Sequence, residues 1–282
     1  MKKYFLLLLM LWTLQIRAQV SCSSEDRCKI EQLLRDASRM KARKAGSWML
    51  YFGRKFVGVP YVGGSLDRTK EEQLIVNLSE LDCTTFVEQV VALTRCAEQR
   101  KTTFAAFCDA LRHIRYIGGK VDYVHRQHYF TVWMDDNERE GIVENIDSPN
   151  PPFCGIQTVK VNYMSTHVGN YKMLNSHPQW LSGIRALEQS VTGKRYRYIP
   201  KNQIGNRCVK KSIQDGDILV ILTKKKGLDT SHIGIAAWGE DGKLHLLNAS
   251  SIHHQVIEEP MSLWQYMQKH PSQLGIRVCR VK

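Results

Sequence analysis

Leu81-Asp82-Cys83-Thr84-Thr85-Phe86-Val87-Glu88, running on into Gln89-Val90-Val91-Ala92-Leu93, reads as the start of a helix with a cysteine in its first turn. Asp82 suits the N-cap, because its carboxylate can accept a free backbone N–H. Behind it Cys83, Phe86, Val87, Val90, Thr94 and Ala97 recur at steps of three and four, one face of a 3.6-residue period. Cys83 therefore lies on the inward face, at the positive end of the helix dipole. Unpaired N–H groups there favour an anion, and a thiolate is an anion. The same pattern also fits an inert core thiol, since free cysteine is among the most buried residue types. The choice depends on whether the rest of the chain supplies a base.

The termini and composition bound the answer. Lys2-Lys3, the apolar run from Phe5 to Leu14 and the small Ala18 before Gln19 read as a signal peptide over residues 1–18. That run is too short to anchor in a bilayer, so residues 19–282 are expected to be exported, with no integral membrane segment after cleavage. Cys22 as a lipidated N-terminus is the disfavoured alternative, because Gln19-Val20-Ser21 makes a poor lipoprotein signal. A hydrophobic content of 43% supports a real core, and the length suits one large domain or two small ones. Eight cysteines in an oxidising compartment allow disulfides, whose pairing does not follow from sequence; Cys22 with Cys28 is a local candidate. The chain carries +13, of which Lys2, Lys3 and Arg17 lie in the leader, leaving +10. Such a charge favours polyanionic surroundings. Only Lys224-Lys225-Lys226 forms a compact basic run, and it reads as a solvated turn, so nucleic acid is not an expected partner.

Along the chain, residues 26–40 and 45–56 read as amphipathic helices and 58–64 as a Gly/Pro loop. A helix capped at Thr102 or Thr103 turns Phe104, Phe107, Cys108, Leu111 and Ile114 inward and stops at Gly118-Gly119. Tyr129 to Trp133 reads as a strand, Asn145 to Pro152 as a loop, and Pro178 to Val191 as a short helix. Residues 121–208 read as an elaboration inserted into one domain spanning 19–282. The last third is β, with strands expected over 216–223, 232–238, 243–250 and 275–280.

A cysteine nucleophile needs a base in hydrogen-bond reach, and the base needs a third group to orient it. His232 opens an apolar strand of small residues, directly after a polar turn. Glu240-Asp241-Gly242 fits a three-residue hairpin loop, which pairs Gly239 with Lys243, Gly234 with Asn248 and His232 with Ser250. Strand alternation then puts His232, Gly234 and Asn248 on one face, and the missing side chain of Gly234 lets Asn248 approach the ring. A two-residue turn at Asp241-Gly242 would instead send Asn248 to the opposite face. Cys83, His232 and Asn248 thus form a candidate Cys-His-Asn triad. His125, His128, His253 and His254 show neither structural-zinc spacing nor a His-Glu-x-x-His pair, so neither a metal nor any other cofactor is expected.

Five ordered motifs carry a resemblance. Gly58-Val59-Pro60-Tyr61, Asp82-Cys83-Thr84-Thr85-Phe86-Val87, Gly216-Asp217-Ile218, Ser231-His232-Ile233-Gly234-Ile235 and Asn248-Ala249-Ser250 are similar to those of the NlpC-type papain-like cysteine hydrolases of bacterial cell walls. The resemblance covers about residues 50–260. It implies an α+β fold: a papain-like core with the nucleophile on a helix N-terminus packed against an antiparallel sheet, plus N-terminal helices and a large insertion. The common pattern has Asp-Cys-Ser-Gly and often a third-residue His. Thr84-Thr85 and Asn248, with Arg126, Tyr129, Trp133 and the run Gly227 to His232, resemble the N-acetylmuramoyl-L-alanine amidase branch instead. For this chain that branch implies a periplasmic cysteine amidase acting on peptidoglycan or muropeptides through a thioester. By resemblance Cys83 is the nucleophile, His232 the base, Asn248 its orienter and Tyr61 an oxyanion donor. Asp82 and Ser231 would sit at the substrate rim, and Arg126 and Tyr129 would contact substrate. Alternatives are a D,L-endopeptidase of the same fold, an acyltransferase, and a muropeptide-binding protein without chemistry.

Overall fold

Ile218-Leu219-Val220-Ile221-Leu222-Thr223 is buried at every position, as a strand covered on both faces must be. The structure, a computed structural model, describes residues 20–282. The signal-peptide reading of residues 1–18 falls outside them. The strands are β1 (Val20–Cys22), β2 (Leu74–Val76), β3 (Val143–Ile146), β4 (Gly155–Thr158), β5 (Arg195–Pro200), β6 (Ile218–Thr223), β7 (Thr230–Trp238), β8 (Leu244–Ser250), β9 (Gln255–Glu258) and β10 (Gln273–Val281). The longer helices are α1 (Ser24–Ser38), α2 (Ala45–Arg54), α3 (Cys83–Glu98), α4 (Phe104–Arg115), α5 (Phe130–Arg139), α6 (Leu181–Val191) and α7 (Leu263–Gln268).

β4-β5-β10-β6-β7-β8-β9 form one antiparallel sheet, with β3 also paired to β10, while β1 and β2 make a separate parallel pair. Helices and an antiparallel sheet make the fold α+β. The period of two sorts the sheet's side chains. Ile218, Val220, Ile233, Ile235, Leu247 and Ala249 join a core with Phe86, Val87, Val90 and Val91 of α3. Leu219, Ile221, Ala236 and Leu246 face the other way, onto Leu263, Tyr266 and Met267 of α7. A third core, including Tyr123, Val132, Met164, Leu174, Ile184 and Leu187, lies within residues 121–208. That segment also supplies β3, β4 and β5 to the sheet.

Four expectations need correction. Tyr129 to Trp133 is not a strand: Tyr129 is the N-cap of α5, whose Phe130, Trp133 and Met134 turn inward at helical spacing. Aromatic and β-branched residues suggest a strand, but burial on a pleated surface, not backbone preference, is what that tendency reports. Asn145 and Ile146 belong to β3, because β10 offers them free ladder groups. Pro178 to Trp180 forms a 3-10 turn, so the helix starts only at Leu181. Cys22 and Cys28 do not pair; both are free, and the Cys22 thiol donates to Ser23 O at 3.2 Å.

Candidate active site

Asp82 caps α3 with a full capping box. Its Oδ1 accepts the Thr85 N–H at 2.8 Å and the Thr85 hydroxyl at 2.9 Å, while Thr85 Oγ1 accepts the Asp82 N–H at 2.9 Å. Cys83 is thereby fixed as the first residue of the helix. The loop before it is equally held. Leu81 N–H donates to Pro60 O and Val62 N–H to Leu81 O, each at 3.0 Å, and Tyr61 N–H donates to His254 O at 2.9 Å. These bonds set Tyr61 between the β8–β9 turn and the residue preceding the cap. Burial first, then the charges of Cys83 and Asp82, push the Tyr61 phenol up to about 12, so it remains a proton donor beside the thiol.

The β7–β8 hairpin has the expected register. Gly242 is left-handed at φ 72°, Gly239 N–H donates to Lys243 O at 2.9 Å, and Trp238↔Leu244 through Ile235↔Leu247 follow in order. A methyl group on Gly234 would lie 2.9 Å from Asn248 Cβ and 2.8 Å from Leu246 Cδ1, so only glycine fits there. The His232 ring meets Asn248 as a result, Nε2 to Oδ1 at 2.8 Å. Asn248 is 1% exposed, and its Nδ2 donates to Leu246 O at 3.2 Å. That bond fixes the amide orientation. Its oxygen faces the ring, Nε2 carries the hydrogen, and the Nδ1 lone pair is left over. A bulge sharpens the aim. Ile221 pairs with His232 but Leu222 with Thr230, which leaves the exposed Ser231 as the extra residue.

Cys83 and His232 line one pocket of about 330 Å³, shared with Asp82, Thr84, Ser231, Arg126 and His128. The charge state of the pair follows from burial. The enclosed Cys83 thiol is pushed up to about 12, mainly by desolvation and then by the Asp82 carboxylate. The Ile233 and Thr84 N–H groups and the Thr84 hydroxyl oppose this only in part. Burial likewise lowers His232, against the bond from Asn248. Both shifts favour the neutral forms, thiol and imidazole, and oppose the thiolate that the helix dipole favours.

Two buried guanidiniums floor the pocket. Arg115, 1% exposed, donates to Glu88 Oε2 at 2.6 Å and to Ile75 O at 2.7 Å. Arg126, 7% exposed, donates to Asp67 Oδ1 at 2.5 Å. Tyr129 does not reach this pocket. It is 2% exposed, and its hydroxyl donates to Glu188 Oε1 at 2.7 Å while accepting the Met164 N–H at 3.0 Å, so it serves the core and not a ligand.

Residues 51–276 match the AmiA-like family, described as N-acetylmuramoyl-L-alanine amidase-like. The chain belongs to this family. An N-acetylmuramoyl-L-alanine amidase from Bacteroides uniformis is 36% identical over 85% of this chain and all of its own, with a TM-score of 0.79. A Bacteroides fragilis protein provisionally assigned as a xylanase is 37% identical over 82% of this chain and all of its own, with a TM-score of 0.76. A Legionella pneumophila protein, at 21% identity and a TM-score of 0.72 over 91% of this chain and 94% of its own, shares the fold. No curated protein matches the chain. The AmiA-like match takes in every candidate residue from Tyr61 to Asn248.

Sequence reasoning named Arg126 but missed the rest of the pocket floor. Asp67, Glu88 and Arg115 are separated in sequence and share no motif. The available signal was Glu88 itself, a charge set between the apolar Phe86-Val87 and Val90-Val91.

Proposed function

We propose that this AmiA-like protein is an exported, papain-like cysteine amidase of the NlpC type that hydrolyses the amide between N-acetylmuramic acid and L-alanine in peptidoglycan fragments. The observation that carries the chemistry is the 2.8 Å bond from His232 Nε2 to Asn248 Oδ1, which leaves His232 Nδ1 free as a base in the pocket that holds Cys83. The bond choice rests on the family match.

Cys83 Sγ attacks the lactyl carbonyl carbon as its proton passes to His232 Nδ1. A tetrahedral oxyanion forms, for which the Tyr61 hydroxyl and the Cys83 N–H are donors. His232 returns the proton to the L-alanine nitrogen, the C–N bond breaks, and a muramoyl thioester remains. Water, deprotonated by His232, then releases the acid and restores the thiol. Asn248 holds the tautomer and steadies the transient imidazolium. Asp82 holds the cap, Ser231 stands at the rim on its bulge, and Arg126 presents a fixed guanidinium to the substrate side of the pocket.

A glycosidase needs two carboxyl groups free to act on opposite sides of the bond. The pocket's three carboxylates are committed, Asp82 to Thr85, Asp67 to Arg126 and Glu88 to Arg115, which argues against a xylanase reading. Mass spectrometry of muropeptides after incubation with residues 19–282 tests the proposal. Free stem peptide beginning with L-alanine is the expected product. A shortened peptide still attached to sugar would mean a D,L-endopeptidase.

A further inference from the structure

A second cavity is larger than the candidate catalytic pocket. It holds about 970 Å³ and lies between β4, α6 and the turn after β6. Four cations line it, Lys160, Arg185, Lys225 and Lys226, against a single carboxylate, Glu188. Glu188 is already engaged, accepting the Tyr129 hydroxyl at 2.7 Å and the Ser165 N–H at 3.0 Å. None of the four cations forms an ion pair among the described residues. Lys225 lies 4.5 Å over the Tyr163 ring, which holds its ammonium at the groove. Gln157, on the wall, has its Nε2 donating to Asp229 O at 3.0 Å and leaves Oε1 buried without a partner. Exposed cations with no counter-ion, converging on one concavity, define a site for an anion.

The cavity connects to the catalytic pocket through one strap. Gly227 and Leu228 line the large cavity, while Thr230, Ser231 and His232 line the catalytic pocket. Asp229 pins the strap between them, accepting the Thr131 N–H at 2.7 Å. From Gly227 to His232 the chain spans at most about 17 Å. A three- or four-residue peptide covers about 10–14 Å extended. An extended stem peptide is comparable in length to this strap, and its acidic residue and C-terminus carry carboxylates.

We propose that this basic cavity is the subsite for the carboxylates of the stem peptide, so that the enzyme selects stems with free acids over amidated ones. The proposal rests on the amidase reading, because it makes the stem peptide the leaving group. Lys225 and Lys226, within the basic run Lys224-Lys225-Lys226, are then recognition residues and not part of a merely solvated turn.

Calorimetry with Cys83→Ala protein and a synthetic L-alanyl-γ-D-glutamyl-diaminopimelyl-D-alanine peptide at low salt tests it. The peptide is expected to bind, and the same peptide with amidated carboxyls to bind at least tenfold more weakly. Adding Lys160→Glu with Lys225→Glu should weaken the acidic peptide by a similar factor, since exposed ion pairs are worth up to about fivefold each. Added salt should erase the difference. Equal affinity for the two peptides overturns the proposal, and that comparison needs no cavity variant. Unchanged affinity in a charge-reversed variant that still melts like its parent overturns it too, as does binding of an acidic wall polymer but not of the peptide. Failure of wild-type protein to hydrolyse muropeptides, with peptide selectivity intact, would sink the amidase reading alone.

Discussion

Asn248, which does not line the pocket of Cys83, decides which nitrogen of His232 keeps a free lone pair. Because the Asn248 amide is oriented by backbone carbonyls, its replacement frees the ring to take either tautomer. Asn248→Ala should lower kcat about a hundredfold with little change in KM, within the range a positioned base contributes. Steady-state kinetics on a muropeptide check this; an unchanged kcat would remove Asn248 from the site. The resting protonation state gives a second expectation. His232 is lowered from its usual 6.5 by burial, so its inactive imidazolium forms only below that range, and kcat/KM should rise with pH through a midpoint below 6.5 and then level off. The thiol, pushed up to about 12, adds no ionisation until strongly alkaline pH. A thiolate–imidazolium pair would behave differently, losing activity in weakly alkaline buffer as the imidazolium deprotonates. A pH–rate profile separates the two.

At the scale of elements, the β7–β8 hairpin was legible because turn chemistry fixes register. Gly242 in the left-handed region sets the loop at three residues, the pairs from Trp238↔Leu244 to Ile235↔Leu247 follow, and His232 meets Asn248 on the shared face. The α3 start was legible for the same kind of reason, a local cap. Tyr129 to Trp133 was not, since its helix is chosen by the cores it packs between. Nor was the role of Lys225 and Lys226, whose cavity is built by β4 and α6 from remote sequence. Gly234 offers the element-scale test. Gly234→Ala puts a methyl 2.9 Å from both Asn248 Cβ and Leu247 O, which cannot retreat within the ladder. The cost should be about 1–3 kcal/mol, read by chemical denaturation, together with an activity loss resembling that of Asn248→Ala. A variant of full stability and activity would contradict the crowding.

Over the whole molecule the last strand is structurally first. β10 lies between β5 and β6 and also carries β3, so it joins the 121–208 segment to the catalytic hairpin. Its place was hidden in the sequence, which gives a strand at 275–280 but no order within the sheet. Deleting residues 273–282 should abolish the cooperative unfolding transition seen by circular dichroism, because β3 loses its partner, β5 and β6 each lose one neighbour, and the core strand side chains Ile276 and Val278, each nearly fully buried, are removed. Retention of a wild-type transition would show that the three cores stand independently.

In the proposed mechanism Cys83 becomes acylated by the muramoyl group. Acid-quenched intact-protein mass spectrometry during turnover of a muropeptide measures this directly. The account predicts a transient mass gain equal to the saccharide acyl group, mapped to Cys83 and missing in Cys83→Ala, with the stem peptide released in the same step. Stem peptide released at the wild-type rate by Cys83→Ala, or an adduct that retains the peptide, would contradict it.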